Sequence, residues 1–246
     1  MTLPAPLSRR EVLTTAATLG VTAITVVLGE GEASEAAARV ALPFAEKSGL
    51  ITGQLKPMKY TELPGLLSKE QLAPHYIAHY GGALRNLLND EQQLEAMVRS
   101  GNPLSGPAHA FLHKDKLARM NSVLLHELYF DGLTVAQDTK GESLREAIIK
   151  RFGSFDRWLA DFKGCCMAAN GWGLLAREPI SGKLFNVPSD AHEVGVVWFG
   201  QPLIVCDVYE HAYYVDYQNS KREYVDKFAQ FLDWDEAERR FQVLSK

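Results

Sequence analysis

The sequence feature that most constrains the fold is an apolar strand that ends in charged and ring side chains. Residues 202–208 have the β-branched, apolar character of a buried strand, and Tyr209, Glu210 and His211 follow it directly. Asp207 and His211 therefore leave the strand end, where a rigid sheet can fix the directions of a carboxylate and an imidazole. Apolar strands seldom end in this much charge without a purpose, so the pattern indicates a functional site.

A capping box followed by a proline shapes the prediction for the first long helix. Ser68 and Gln71 have the spacing at which each side chain satisfies the other's free backbone amide, so we expect a helix from there to about Val98. Pro74 lies inside this helix and lacks the backbone amide that a helix interior needs. The sequence therefore predicts a kink or a restart just before His75.

A second long helix and three strands complete the predicted architecture. Residues 101–107 form a connection, and residues 110–129 then carry apolar side chains at helical spacing, which predicts an antiparallel hairpin. The later elements are helices capped by Ser143 and Ser154, strands over 172–178, 183–187 and 202–208, and helices over 220–232 and 234–244. The predicted fold class is α+β, with a long antiparallel helical hairpin domain over 39–135 and a small α/β domain with a three-stranded antiparallel sheet over 136–246.

The N-terminal segment is predicted to be an export signal rather than part of the fold. Arg9 and Arg10 precede an uncharged stretch over 12–29 that is rich in alanine and threonine, and residues 36–38 offer a small-residue cleavage site. Such a segment resembles a twin-arginine signal peptide, so we expect residues 1–38 to be removed and the mature chain to be periplasmic or extracellular, without stable membrane association. A membrane anchor is the alternative, because about 18 to 20 apolar residues can span a bilayer.

The net charge argues against a nucleic-acid-binding protein, and the cysteine content argues against a disulfide scaffold. Removing two basic and four acidic residues with the signal leaves 24 basic and 26 acidic residues, a net charge of −2, so we expect no nucleic-acid partner. Cys165, Cys166 and Cys206 cannot all pair within one chain, and neighbours such as Cys165 and Cys166 rarely bridge without strain. The chain is therefore not a disulfide scaffold.

Histidines are the candidate ligands, and their spacing alone does not sort them. The seven histidines occupy positions 75, 79, 109, 113, 126, 192 and 211. His75 and His79 lie four residues apart on one helix face, as do His109 and His113, but such pairs arise easily by chance among seven histidines. No histidine has a glutamate three residues before it, which excludes a di-iron helical bundle.

Several separate segments resemble the iron/manganese superoxide dismutases. The matching segments in the second half are the run from Asp207 to Tyr214, the run from Asp216 to Asn219, and Trp234 with its two acidic neighbours. The resemblance extends back through the run from Asn170 to Gly173, the residues around His126, and His75 with Ser68 ahead of it. Residues 60–246 are covered, and the export segment is not.

The resemblance implies a metal site and an activity. The family's four ligands correspond to His75, His126, Asp207 and His211, which implies one iron or manganese ion per subunit with an open position for solvent. The implied reaction converts two superoxide anions and two protons into dioxygen and hydrogen peroxide, with superoxide as the substrate.

The resemblance also assigns roles to four residues around the ligands. His79 and His192 correspond to residues that surround the bound metal, and His192 is the candidate to hydrogen-bond its solvent ligand. Glu210 and Tyr214 correspond to residues that reach across a subunit interface, so we expect a homodimer or homotetramer.

Some positions depart from the family pattern. Ala83 stands eight residues after His75, where the family usually has a tyrosine at the substrate entrance, and Ser122 stands where glycine or glutamine is usual. Phe130, Leu174 and Tyr209 replace tryptophans. The alternative function is therefore an exported protein of the same fold with weak or no activity, which serves as a metal-binding or structural protein.

Overall fold

Two long helices that pack antiparallel carry the first half of the fold. The computed structural model describes residues 45, 47–101, 104–178, 180–195 and 200–243. The elements of this half are α1 (Gly49–Thr52), α2 (Lys69–Pro74), a π-helix (His75–Tyr80), α3 (Gly81–Arg99) and α4 (Pro107–Asp131). Lys116 of α4 forms an ion pair with Glu91 of α3, whereas His126, further along α4, packs against His75. The predicted antiparallel hairpin is therefore confirmed.

The second half is a small sheet with helices around it. Its elements are α5 (Glu142–Phe152), α6 (Phe155–Ala168), β1 (Trp172–Arg177), β2 (Leu184–Ser189), β3 (Gln201–Asp207), a 3-10 helix (Glu210–Ala212), α7 (Tyr214–Tyr217), α8 (Lys221–Phe228) and α9 (Trp234–Gln242). The strands pair in the order β2-β1-β3, and both pairings are antiparallel. In this register Trp172 lies opposite Asp207, which places the end of the apolar strand beside the central strand.

The first helix changes its geometry at the predicted position but is not interrupted there. Pro74 and His75 both have helical backbone angles, and the helix changes from α to π geometry at His75. A proline supplies no amide to the helical ladder, and π segments are frequent at functional sites. The predicted restart is therefore wrong, and the alternative of a kink before His75 stays a prediction.

The capping box at Ser68 forms only in part. The Gln71 amide donates to Ser68 Oγ over 3.1 Å, as predicted. The Gln71 side chain does not return to Ser68, because it donates to the His211 carbonyl and accepts from the Val215 amide. The Ser68 amide donates instead to the Asp216 carboxylate. A long-range contact has therefore replaced half of the local motif.

The predicted cap at Ser143 is wrong, whereas the one at Ser154 is confirmed. Helix α5 already begins at Glu142, after Gly141 in a left-handed conformation with φ 56°. One of its free N-terminal amides is satisfied from a distance, since the Leu144 amide donates to Glu238 of α9 over 2.6 Å. Ser154 Oγ accepts from the Arg157 amide, as a helix N-cap does.

The predicted fold class is confirmed, and two further predictions are left untested. The division between a helical and an α/β domain near residue 135 stays a prediction. The export signal over 1–38 lies outside the described residues. Within the described part of the chain, no helix is both long and apolar enough to cross a bilayer.

A buried arginine joins the last helix to the sheet and the hairpin. Arg240 of α9 is 1% exposed. Its guanidinium donates to Glu236 and to the carbonyl oxygens of Leu203 in β3 and Leu128 in α4. Because each contact satisfies a buried polar group, removal of this side chain leaves several partners unsatisfied.

We predict that Arg240→Met lowers the free energy of unfolding by about 3 kcal/mol, because removing one partner of a buried ion pair leaves the other charge uncompensated. The measurement is urea unfolding followed by circular dichroism. Arg222→Met is the matched control, since this arginine of α8 is exposed and the change should stay within about 0.5 kcal/mol of wild type. Equal effects of the two substitutions would contradict the structural role of Arg240.

Candidate metal centre

Four potential metal ligands converge from separate elements. His75 is the first residue of the π-helix, His126 lies in α4, Asp207 ends β3, and His211 lies in the 3-10 helix. One ligand atom from each of these residues lies within 4.8 Å of the others. In the described part of the chain this is the single group of three or more such residues. Residues as far apart in sequence as His75 and His211, which are separated by 136 positions, thus meet at one point.

The Asp207 carboxylate is the centre of the cluster. Its Oδ2 atom lies 3.1 Å from His75 Nε2, 3.6 Å from His126 Nε2 and 3.2 Å from His211 Nε2. Its other oxygen, Oδ1, accepts from the Tyr209 amide over 3.0 Å. The turn that follows β3 therefore fixes the carboxylate, and one of its oxygens faces three imidazoles.

Burial sets the protonation states of the cluster. Asp207 and His75 are both 0% exposed. Burial by itself raises the pKa of Asp207, but hydrogen bonds from His211 and His75 outweigh it and hold that pKa below its usual range. Burial lowers the pKa of His75, and burial together with the neighbouring His75 lowers the pKa of His126 to about 3. An ionised carboxylate next to neutral imidazoles is the state that binds a cation.

His126 has a free ring nitrogen directed at the cluster. Its Nδ1–H donates to the carbonyl oxygen of Ser122 over 2.7 Å, which leaves the lone pair on Nε2. That Nε2 atom is buried and has no hydrogen-bond partner. Since buried polar atoms are nearly always satisfied, a cation between the four side chains would supply the missing partner. The residues therefore fit a bound metal ion.

The donor set restricts which metal fits. Three imidazoles and one carboxylate supply nitrogen and oxygen ligands without any thiolate, and this set suits iron and manganese. A structural zinc site would typically be closed by four ligands that include cysteines. The nearest cysteine in sequence, Cys206, is buried beside Cys166 rather than within the cluster.

Comparison with known proteins identifies the family. The family model described as "Iron/manganese superoxide dismutases, C-terminal domain" matches residues 139–240. Superoxide dismutase (Mn) 1 of Halobacterium salinarum is 33% identical over 187 residues, which are 76% of this chain and 92% of the relative. Superoxide dismutase (Fe) of Aquifex pyrophilus is 34% identical over 193 residues, 77% of this chain and 90% of the relative. This chain belongs to the iron/manganese superoxide dismutase family.

The four residues that the family resemblance assigns as metal ligands are the four that the structure brings together. Superoxide dismutase (Fe) of Cupriavidus metallidurans, 33% identical over 195 residues and matched over 95% of its length, extends the likeness to a third organism. The relatives carry the names of both metals, so the family assignment leaves iron and manganese open.

His192 lies beside the cluster of this superoxide dismutase family member. Its ring centroid is 6.3 Å from that of His126, and its Nδ1 accepts from Trp172 Nε1 over 3.1 Å. Burial lowers the pKa of His192, which favours the neutral ring. Because Nδ1 accepts, the proton of the neutral ring is on Nε2, and that N–H is available as a donor.

His79, Glu210 and Tyr214 lie on the open side of the cluster. The His79 ring stacks on His211 with centroids 3.8 Å apart, and His211 is the one ligand candidate that is partly exposed. Glu210 is exposed, and Tyr214 is 49% exposed. Within the described residues, neither side chain donates or accepts a hydrogen bond with the cluster, and their predicted roles concern a second subunit.

Tyr209 and Phe130, two of the positions that depart from the family pattern, pack against the ligands. Tyr209 stacks on His211 with a centroid distance of 5.2 Å, and Phe130 lies 5.0 Å from His75. Leu174 and His192 line a largely apolar cavity of about 180 Å³. Ala83 is buried in the core at 4% exposure and offers no polar group. The smaller rings thus still cover the ligands, whereas the usual hydroxyl at Ala83 is missing.

Sequence patterns missed the residues that orient the ligands. Gln71 was predicted to cap a helix, yet its side chain binds the backbone of His211 and Val215. Trp172 is predicted as a strand residue and, by the family resemblance, as a pocket aromatic, but its hydrogen bond to His192 is not predicted. No local pattern indicates either contact, because each one joins segments that are distant in sequence.

We predict that alanine substitution at any of the four ligand candidates lowers the metal content per subunit by about tenfold or more, whereas His79→Ala retains it. A ligand loss should exceed the 10- to 100-fold effects on affinity seen for residues that only support ligands. The measurement is elemental analysis of each purified variant. His79 is the matched control because it stacks on His211 and lies on the same helix as His75. Loss of metal from His79→Ala together with its retention in His75→Ala would refute the ligand set.

Proposed function

We propose that this chain catalyses the dismutation of superoxide, in which two superoxide anions and two protons become dioxygen and hydrogen peroxide. One iron or manganese ion per subunit, held by His75, His126, Asp207 and His211, would supply the one-electron redox change. The convergence of three imidazoles on a buried carboxylate is the observation that carries this proposal. The names of the relatives support it.

The surrounding residues supply orientation and protons. The Ser122 carbonyl orients the His126 ring, and the Gln71 side chain holds the His211 backbone, so these two ligands keep their directions. The single negative charge of Asp207 would offset part of the charge of a bound ion. A proton taken up together with each electron would keep the net charge of this buried site unchanged. We assign the His192 Nε2–H, which is oriented through Trp172, as the donor of a hydrogen bond to the solvent ligand of the ion.

A second candidate function rests on Ala83. This buried position lacks the hydroxyl that the family usually places at the substrate entrance. A slower proton supply would make the chain a metal-binding protein of the same fold with weak activity. The two candidates share the ligand set and differ in rate, so a rate measurement separates them.

The decisive experiment measures superoxide decay with the chain loaded with iron or with manganese. We expect at least one form to accelerate the decay in proportion to its metal content. Asp207→Ala should abolish the acceleration, because it removes the central ligand. Lys114→Ala is the control, since this exposed residue lies more than ten positions before His126 on α4. A chain that holds one ion per subunit yet leaves the decay unchanged would support the second candidate.

We further propose a symmetric dimer formed through the open side of the cluster. Ile77, Tyr214 and Val215 are 59%, 49% and 58% exposed near His79 and Glu210, an apolar surface rimmed by polar groups. Such patches mark interfaces between subunits. Export through the signal over 1–38 remains our proposal for localisation and rests on Arg9 and Arg10.

We predict that Glu210→Ala weakens this dimer by about tenfold and lowers metal retention, because the carboxylate would hold a ligand histidine of the other subunit. Sedimentation equilibrium and elemental analysis measure the two effects. Glu95→Ala is the control, as this glutamate lies on α3 with a 66% exposed side chain. A fully metallated Glu210→Ala dimer of wild-type affinity would count against the interface.

A further inference from the structure

A second pair of histidines lies outside the cluster and converges on one point. His109 and His113 occupy consecutive turns of α4, and their Nε2 atoms are 3.1 Å apart. The ring centroids are 4.5 Å apart with an interplanar angle of 67°. His113 is exposed and His109 is half-buried, so both nitrogens can be reached from solvent. The proposed dismutase reaction uses neither residue.

The separation of the two nitrogens matches that of two ligands on one ion. With metal–nitrogen bonds of about 2.0–2.1 Å, two nitrogens at right angles lie about 2.9 Å apart and two at the tetrahedral angle about 3.4 Å apart. The observed 3.1 Å lies between these values. Without a metal, an Nε2–H···Nε2 hydrogen bond accounts for this separation, and an ion bound to both nitrogens would take the place of the shared proton.

We propose that His109 and His113 form a second, solvent-exposed site for a divalent transition-metal ion, with Cu²⁺ or Ni²⁺ as the preferred occupant and water completing its coordination. Imidazole ligands suit these ions, and copper and nickel stand highest in the Irving–Williams order. The pair lies in the first turns of α4, where the partial positive charge of the helix N-terminus opposes a cation. The ions that imidazole binds most strongly are therefore the ones that overcome this repulsion.

The second site is independent of the first. His113 precedes His126 by 13 residues on one continuous helix, a separation of about 20 Å at a rise of 1.5 Å per residue. No side chain can contribute to both positions at this distance. An ion at the histidine pair therefore takes no ligand from the iron or manganese site.

The test is titration of the metal-loaded full chain with Cu²⁺ and with Ni²⁺, followed by calorimetry and, for Cu²⁺, by electron paramagnetic resonance. We expect one additional ion per chain, with a copper spectrum that shows nitrogen ligands. His109→Ala and His113→Ala should each weaken binding at least tenfold, and acidification should release the ion because a protonated imidazole has no lone pair to offer.

Lys114→Gln is the matched control, because it changes the charge of an exposed neighbour without removing a ligand, and it should bind as wild type does. Iron or manganese content should remain constant throughout the titration. Binding that survives both histidine substitutions, or no binding of either ion by the wild-type chain, would overturn the proposed site. Neither result would bear on the dismutase centre, whose metal content is measured in the same samples.

Discussion

The fold depends on a buried negative charge at the end of strand β3. Asp207 is 0% exposed, and an isolated carboxylate in that position would destabilise the protein strongly. Hydrogen bonds from His75, from His211 and from the Tyr209 amide compensate this charge, and the ring of His126 lies beside it. The three rings belong to the π-helix, to the segment after β3 and to α4. The helical hairpin and the sheet must therefore meet at this one carboxylate.

Arg240 and Asp207 are both buried and charged, but the groups around them are satisfied to different degrees. Arg240 donates to Glu236 and to two carbonyl oxygens, and it joins three elements without access to solvent. Asp207 has its own partners, but the Nε2 of His126 beside it has none. The first arrangement is complete and serves stability. The second is incomplete without a cation, and this incompleteness indicates function.

The parts of the structure that the sequence predicts are those set by local chemistry. The apolar strand before Asp207 and the cap at Ser154 each depend on neighbouring residues, and both predictions match the structure. The cap at Ser143 is wrong, because α5 already begins at Glu142, and Glu238 from a distant helix accepts from the Leu144 amide. Local patterns cannot include a partner that arrives from the other end of the chain.

The residues of the candidate site, too, could be predicted only in part from local sequence patterns. Spacing alone did not separate His75 from His79 or favour either over the pair on α4, and the family resemblance was needed to assign the ligands. The contacts that orient the ligands were not foreseen, since Gln71 and Trp172 act on residues 140 and 20 positions away. Tertiary packing decides these contacts, and periodicity carries no information about them.

The most direct test of the account is anomalous X-ray diffraction from crystals of the metal-loaded protein, with data collected on both sides of the iron and manganese absorption edges. The account predicts one strong peak per chain, enclosed by His75, His126, Asp207 and His211, at one of the two edges. A peak at any other position in a fully loaded chain, or no peak among these four side chains, would contradict it.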